Sequence, residues 1–378
     1  MAKGGRYLSV KKTKRKGGRV FLIILMVFLL LIAAVAAGGM IYYNSMLNLI
    51  TRPETTENSL SDADLEAILG YIPEKESAPE TEATEQTTAP TTAPTEPAED
   101  PILNIMLIGQ NYRKGEEHKL SDTLILCSVN KDTKTITLTS FLRDLYVKLP
   151  NYKGHVCGWN RINVAYNLGW RWAGELGGME MLDTLLYDSF GVEVDYNVEV
   201  GFETFTQIID ILGGVDMELT ADEARYLSAD GKRFTAGMNH LDGEAALTYA
   251  RIRSSNAGDN DFNRTNRQRK LLVSLINKAK TMSLPQLNGL LQEALPLIIT
   301  DMTNEEITAC AMELLPMLTE LTIETNQCPA DGTYWGDMIK LGGLDASVIK
   351  CELEPNKEIM MQIAEGIEPT EPAETTAE

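Results

Sequence analysis

Near its start the chain carries one unbroken apolar block: Val20 to Tyr43 runs for 24 residues without a charged side chain. A bilayer core takes about 20 apolar residues in a helix, so the block predicts one membrane-spanning helix. A cleaved signal peptide has a shorter apolar core of about 7–15 residues, ending in small residues. Ala33 to Gly39 is rich in small residues and leaves that alternative open, while the length favours retention.

Beyond it the pattern changes twice. Pro73 to Asp100 is dominated by Pro, Thr and Glu and has no aliphatic side chain beyond Ala and Pro, a composition that cannot bury a core and reads as an extended tether. Then short apolar runs begin. Ile102–Ile108, Leu124–Val129 and Thr135–Phe141 read as strands, the last two joined by the polar turn Lys131-Asp132-Thr133-Lys134. Leu176–Phe190 has helical spacing, Val194–Val200 alternates as a strand, and Phe202–Leu212 is helical again until Gly213-Gly214. Val215–Leu219 reads as a strand, Asp242 caps a helix through Tyr249, and Phe262–Met282 is a long amphipathic helix with shorter ones near 285–293 and 304–318. Alternating strands and helices predict an α/β fold, an α/β/α sandwich on a central mixed sheet, with one N-terminal transmembrane helix. The expected divisions are a basic segment 1–19, the span 20–43, a stalk and linker 44–100, a main domain 101–321, a segment of unassigned role 322–366 and a tail 367–378.

Charge orients this layout. Residues 1–19 hold eight Lys and Arg and no acid, so against a total of -20 the remainder carries -28. The positive-inside rule puts the N-terminus in the cytoplasm and everything after Tyr43 outside. So acidic a body excludes general nucleic-acid binding, which needs clustered Lys and Arg. Five cysteines and three histidines form no metal-binding spacing, which argues against zinc; Cys328 and Cys351 are the pair expected to join in an oxidising compartment. No G-x-S-x-G elbow supports a serine hydrolase.

Against that background one basic island stands out. Tyr249 to Lys270 holds Arg251, Arg253, Arg264, Arg267, Arg269 and Lys270 against Asp259 and Asp261, a net +4. Arg264, Arg267 and Gln268 fall at i, i+3 and i+4 on one helix face, and Arg251 and Arg253 point together from an extended segment. Arginine suits bidentate contacts to phosphate oxygens, although a solvated basic face has the same composition. Asp122, inside Ser121-Asp122-Thr123 at a strand mouth, suits Mg²⁺, which takes one or two carboxylates plus phosphates and waters. Arg143, in Phe141-Leu142-Arg143-Asp144, either reaches a phosphate or pairs with Asp144. Trp159, Trp170 and Trp172 form either a glycan-binding loop or a packed insertion.

The chain resembles the LytR-CpsA-Psr family of cell-envelope proteins. The likeness runs from Leu103 to Arg269 through NIMLIG (104–109), SDT (121–123), FLRD (141–144), RINVAY (161–166), DILGGVDM (210–217), GMNHLDGEAALTYARIR (237–253) and DFNRTNRQR (261–269). The resemblance implies a transferase that moves a glycopolymer, such as wall teichoic acid or capsular polysaccharide, from a polyprenyl pyrophosphate carrier to peptidoglycan. By motif, Arg143, Arg251, Arg253 and Arg264 grip the pyrophosphate, with Arg161, Arg267 and Gln268 assisting. Asp122 holds Mg²⁺ (or Mn²⁺), and Asp261 orients an arginine or the acceptor hydroxyl. The resemblance further implies partners in membrane lipid, the lipid-linked polymer and peptidoglycan, and apolar helices walling a lipid groove. Two positions depart from the pattern. Where the family commonly has Gly-Ser-Asp, this chain has Gly109-Gln110-Asn111, so Asn111 offers the metal a carbonyl oxygen without charge; and Leu120 stands where Arg is frequent. The rival readings are a polyprenyl pyrophosphate hydrolase and a non-catalytic envelope regulatory or binding protein.

Overall fold

The computed structural model describes residues 44–53, 57–70, 74–75, 101–110, 121–152, 154–230, 233–252, 261–341 and 343–369. The chain divides after Leu49, and before that point 44–47 form one helical turn. The expected span 20–43, most of the tether and the last residues of the tail lie outside the described residues, among which no helix is long and apolar enough to cross a membrane.

From Ile50 onward the elements run α1 (Asp62–Leu69), β1 (Ile102–Gln110), β2 (Ser121–Asn130), β3 (Thr135–Phe141), β4 (Tyr146–Lys148), β5 (Trp159–Arg161) and α2 (Asn163–Phe190). They continue with β6 (Tyr196–Gly201), α3 (Phe202–Ile211), β7 (Val215–Leu219), α4 (Ala221–Leu227), β8 (Gly237–Leu241), α5 (Gly243–Ala250) and α6 (Asp261–Lys280). The last are α7 (Leu284–Ala294), β9 (Ile299–Thr300), α8 (Asn304–Leu314), β10 (Thr322–Cys328), β11 (Tyr334–Leu341), β12 (Leu344–Cys351) and α9 (Leu353–Ala364).

Six strands form the central sheet in the order β9-β6-β1-β2-β3-β10. β1, β2 and β3 are an antiparallel meander, while β6 joins β1 and β10 joins β3 in parallel, so the sheet is mixed as expected. Strand alternation decides the two faces. Met106, Ile108, Leu124, Leu126 and Phe141 pack under α1, α2 and α9, and Ile125, Val129, Ile136 and Leu138 pack under α6 and α8. A third apolar cluster joins α3, α4 and α5 to β7 and β8. Asp242 caps α5 as read from the sequence, its Oδ1 accepting from Ala245 N at 2.8 Å.

Helix α2 begins 13 residues earlier than its periodicity predicts, because Ala173 and Gly174 leave helical geometry and split it into two limbs. The limbs close through glycine: a Cβ on Gly169 would stand 2.0 Å from the Gly177 carbonyl oxygen, so no side chain fits there. Thr322–Cys328, in the segment without a sequence-based role, is the parallel edge strand β10. The expected Cys328–Cys351 bridge is absent: both are free thiols in the same apolar cluster, one ending β10 and the other ending β12, and burial raises both above the ordinary thiol range, Cys351 to about 11.

Candidate functional site

Polar side chains converge where β1 ends and β2 begins. The β2–β3 register pairs Leu124 with Phe141, so Asp122 and Arg143, each two residues further on, become cross-strand neighbours. Arg143 Nη1 donates to Asp122 Oδ1 at 2.6 Å, and Arg143 Nε lies 3.5 Å from Asp144 Oδ2. Asp144 Oδ1 lies 3.6 Å from Arg161 Nε, which also donates to the Ser347 carbonyl at 3.2 Å. Asp122, Arg143, Asp144 and Arg161 thus form one chain of alternating charge along the sheet end. The alternative of Arg143 simply pairing with Asp144 is half of what is seen, because the same guanidinium holds Asp122 more closely.

On the other face, the sheet and α6 enclose a cavity of about 260 Å³. Leu107, Ile125, Val198 and Val200 form its floor, Leu271, Leu272 and Leu275 its roof, and α3 and α5 its side walls. Its lining is apolar apart from Thr123, Arg251 and Gln268. Thr123 follows Asp122 directly, so the strand that carries the carboxylate on one face lines the cavity on the other. Gly109 makes that junction possible: a Cβ there would stand 2.7 Å from Thr123 Cβ, and the β1–β2 register shifts immediately after it.

Arg251, the C-cap of α5, holds its guanidinium 4.8 Å over the Phe202 ring. Arg264 is 5% exposed, one helical turn before Gln268 on α6. Arg267 is directed elsewhere: Nε donates to Glu223 Oε1 at 2.9 Å and Nη1 to the Ile252 carbonyl at 3.1 Å, tying α6 to α4. Burial works against the Glu223 carboxylate, but the Thr220 amide and Arg267 outweigh it and hold its pKa below the usual range. Asn111, Arg253 and the side chain of Asp261 lie outside the described residues.

Three residues that the motifs did not single out also reach the site. Phe202 supplies the platform under Arg251. Gln110 is fully buried, pairs in register with Ser121, and neither its Oε1 nor its Nε2 has a hydrogen-bond partner among the described residues. Asn163, whose carbonyl accepts from Ser121 Oγ at 3.3 Å, likewise has a buried Oδ1 without such a partner. A polar residue closing an apolar strand was the one available signal for Gln110. Among the described residues no three His, Cys, Asp or Glu side chains cluster as a metal site. The donor set beside Asp122 is nevertheless one carboxylate plus orphaned amide oxygens, hard ligands that fit Mg²⁺.

A family model described as the LytR_cpsA_psr family matches residues 69–352, about three quarters of the sequence. The chain belongs to the LytR-CpsA-Psr family. The polyisoprenyl-teichoic acid–peptidoglycan teichoic acid transferase TagU of Bacillus licheniformis is 33% identical over 184 residues, 49% of this chain and 54% of that protein. TagU of Bacillus subtilis matches over the same length, also at 33%. The chain thus spans about half the length of the curated relatives it matches. Among solved structures, a Streptococcus agalactiae protein aligns with TM-score 0.58 at 22% identity, covering 73% of this chain and 92% of its own. B. subtilis TagV aligns with TM-score 0.53 at 24% identity, covering 72% and 100%. These likenesses establish that this LytR-CpsA-Psr chain shares their fold.

Proposed function

We propose that this LytR-CpsA-Psr protein is a membrane-anchored transferase that moves a glycopolymer from a polyprenyl pyrophosphate carrier to peptidoglycan outside the membrane. The observation that carries this is the apolar cavity under α6 with Arg251 and Gln268 in its lining and the Asp122–Arg143 pair one residue beyond Thr123. A ligand with a long hydrocarbon tail and an anionic head matches that division. The names of the TagU relatives and the solved structure of TagT with bound octaprenyl pyrophosphate lipid support the same ligand class.

In this reading the isoprenoid tail lies between Leu107, Ile125 and the leucines of α6, removed from water, and positions the pyrophosphate at the strand ends. Arg251, Arg264 and Arg143, with Arg253, contact its oxygens, and Gln268 and Arg161 assist. A hydroxyl of the acceptor glycan attacks the polymer-side phosphorus, the bond to the lipid-side phosphate oxygen breaks, and polyprenyl phosphate leaves, taking up the hydroxyl's proton. Phosphoryl transfer of this kind depends mainly on positioning and on charge stabilisation. Phe202 fixes the Arg251 plane and Asp144 fixes Arg143 and Arg161, so the cationic groups are ordered before substrate arrives. Asp122, with the amide oxygens of Gln110, Asn163 and Asn111, is the set proposed to hold Mg²⁺. When bound, the ion neutralises pyrophosphate charge and polarises its oxygens. Asp261, the first residue of α6, is proposed to orient an arginine or the acceptor hydroxyl.

The test uses the full chain in detergent with a lipid-linked glycopolymer and Mg²⁺, with and without peptidoglycan. The reading predicts polymer covalently attached to peptidoglycan, stoichiometric release of polyprenyl phosphate, and a loss of at least about 100-fold in Arg251→Ala, the size expected when an electrostatic contact to the transition state is removed. Release without attachment makes the protein a hydrolase. Binding without either product makes it a binding protein.

A further inference from the structure

The three tryptophans do not share one loop as the sequence suggested: Trp159 opens β5, whereas Trp170 and Trp172 lie in the first limb of α2. Trp172 is buried, stacked near Tyr152 and His155, and Trp170 donates to Glu175, so both serve packing. Trp159 does not: it is 48% exposed at the edge of an open pocket of about 600 Å³, a size within the ordinary range of ligand sites.

Its neighbours are set by strand register. In the two-stranded ladder β4–β5, Arg161 pairs with Tyr146 and Trp159 pairs with Lys148. Residues paired directly, and those two apart along a strand, share one face. Arg161, Tyr146, Trp159 and Lys148 therefore form one continuous stripe, while Val147 and Asn160 turn inward and are buried. The Tyr146 and Trp159 rings stand 5.5 Å apart, tilted by 30°, and Lys350 Nζ lies 5.8 Å from the Tyr146 ring centre. Asn151, Thr184, Asp188 and Ser189 supply hydrogen-bonding groups around the same pocket. At the other end of the stripe, Arg161 belongs to the ion chain that reaches Arg143 and Asp122.

An exposed indole beside a half-buried tyrosine ring, bordered by hydroxyl, amide and carboxylate groups, suits a pyranose chain. Such a chain offers an apolar C–H face to an indole and a rim of hydroxyls to polar partners. We propose that this stripe docks the acceptor glycan and leads its hydroxyl to the Arg161–Arg143 end of the site; the assignment of the glycan as acceptor rests on the transferase reading. The alternative source of a sugar chain is the polymer on the carrier. The acceptor is favoured because the apolar cavity taken for the carrier's tail lies on the α6 face of the sheet, whereas Thr184, Asp188 and Ser189 belong to α2 on the other face. The two ligands then approach the strand ends from different sides.

The experiment titrates the full chain in detergent with a β-linked N-acetylhexosamine tetrasaccharide, and separately with a polyprenyl pyrophosphate that bears no sugar and one that bears a short glycan. The proposal expects Trp159→Ala to weaken tetrasaccharide binding at least tenfold and Trp159→Phe to recover most of it. It expects both lipid affinities to match those of the unsubstituted protein. Tetrasaccharide binding that is indifferent to Trp159→Ala, or a loss confined to the glycan-bearing lipid, overturns it. The transferase reading can fail independently: a chain that turns over no lipid-linked polymer but loses tetrasaccharide binding in Trp159→Ala keeps the docking site and loses only its role as acceptor site.

Discussion

If the cavity under α6 is the seat of an isoprenoid tail, filling it must expel the tail. Val200 is the position to fill it from. It lies on the floor of the cavity of about 260 Å³, beside Gly109 in the register, and that cavity is the space an indole at 200 would fill. One isoprene unit has five carbons. At about 0.8 kcal/mol per buried CH₂-sized group, displacing it costs about 4 kcal/mol of binding, or about 2 kcal/mol if the ejected unit stays half covered. That is roughly a 30- to 700-fold rise in Kd. The assay is a calorimetric titration of the full chain in detergent with a long polyprenyl pyrophosphate and with a two-unit analogue, beside a thermal melt. Val200→Trp should keep its Tm to within a few degrees, weaken the long lipid by that factor and barely affect the short one. A Kd for the long lipid within twofold of the unsubstituted protein, in a variant that melts normally, refutes the placement of the tail.

Two further predictions concern residues outside the proposed chemistry. Asp183 is half-buried beneath the sheet, with its Oδ2 accepting from Asn197 Nδ2 at 2.8 Å; its pKa is pushed from 3.8 to about 7, chiefly by burial and to a lesser degree by Asp301 and Glu180, with the Asn197 bond offsetting part of the rise. An acid with a raised folded-state pKa binds its proton more tightly in the native chain, so it erodes stability as pH climbs from about 4 to 7. Asp183→Asn should therefore be close to neutral in urea unfolding at pH 4 and stabilising at pH 8, by up to about 4 kcal/mol; an equal effect at both pH values contradicts the burial argument. Arg267→Ala leaves Glu223 buried without its cation, and should lower stability by about 3 kcal/mol while polyprenyl pyrophosphate affinity stays within threefold; a stable variant that loses the lipid would return Arg267 to the binding site.

The sheet's centre was legible in the sequence because β1, β2 and β3 are apolar or alternating runs punctuated by Gly109 and by the 131–134 turn. The first limb of α2 was not, because Gly169 and the break at Ala173-Gly174 interrupt the helical pattern, and the close Gly169–Gly177 contact spans that break. β10 was missed for a different reason. TIETNQC is an edge strand with one fully buried residue, so it carries little of the alternation that marks a half-buried strand. In the site, Asp122, Arg143, Arg251, Arg264 and Gln268 could be named from motifs. The partner that draws Arg267 away could not: Glu223 lies 44 positions earlier and meets it only through packing of α4 on α6. Cys328 and Cys351 are likewise free thiols, although they share one apolar cluster.

The central claim is that one apolar cavity and one cluster of arginines at the ends of β1 and β2 receive the two halves of a single lipid pyrophosphate. The most direct measurement is an experimental structure of the full chain in detergent with a polyprenyl pyrophosphate. The account predicts density for the tail between Ile125 and Leu272, with the diphosphate against Arg251 and within reach of Arg143. A tail seated on any other surface, or a diphosphate remote from both arginines, contradicts it.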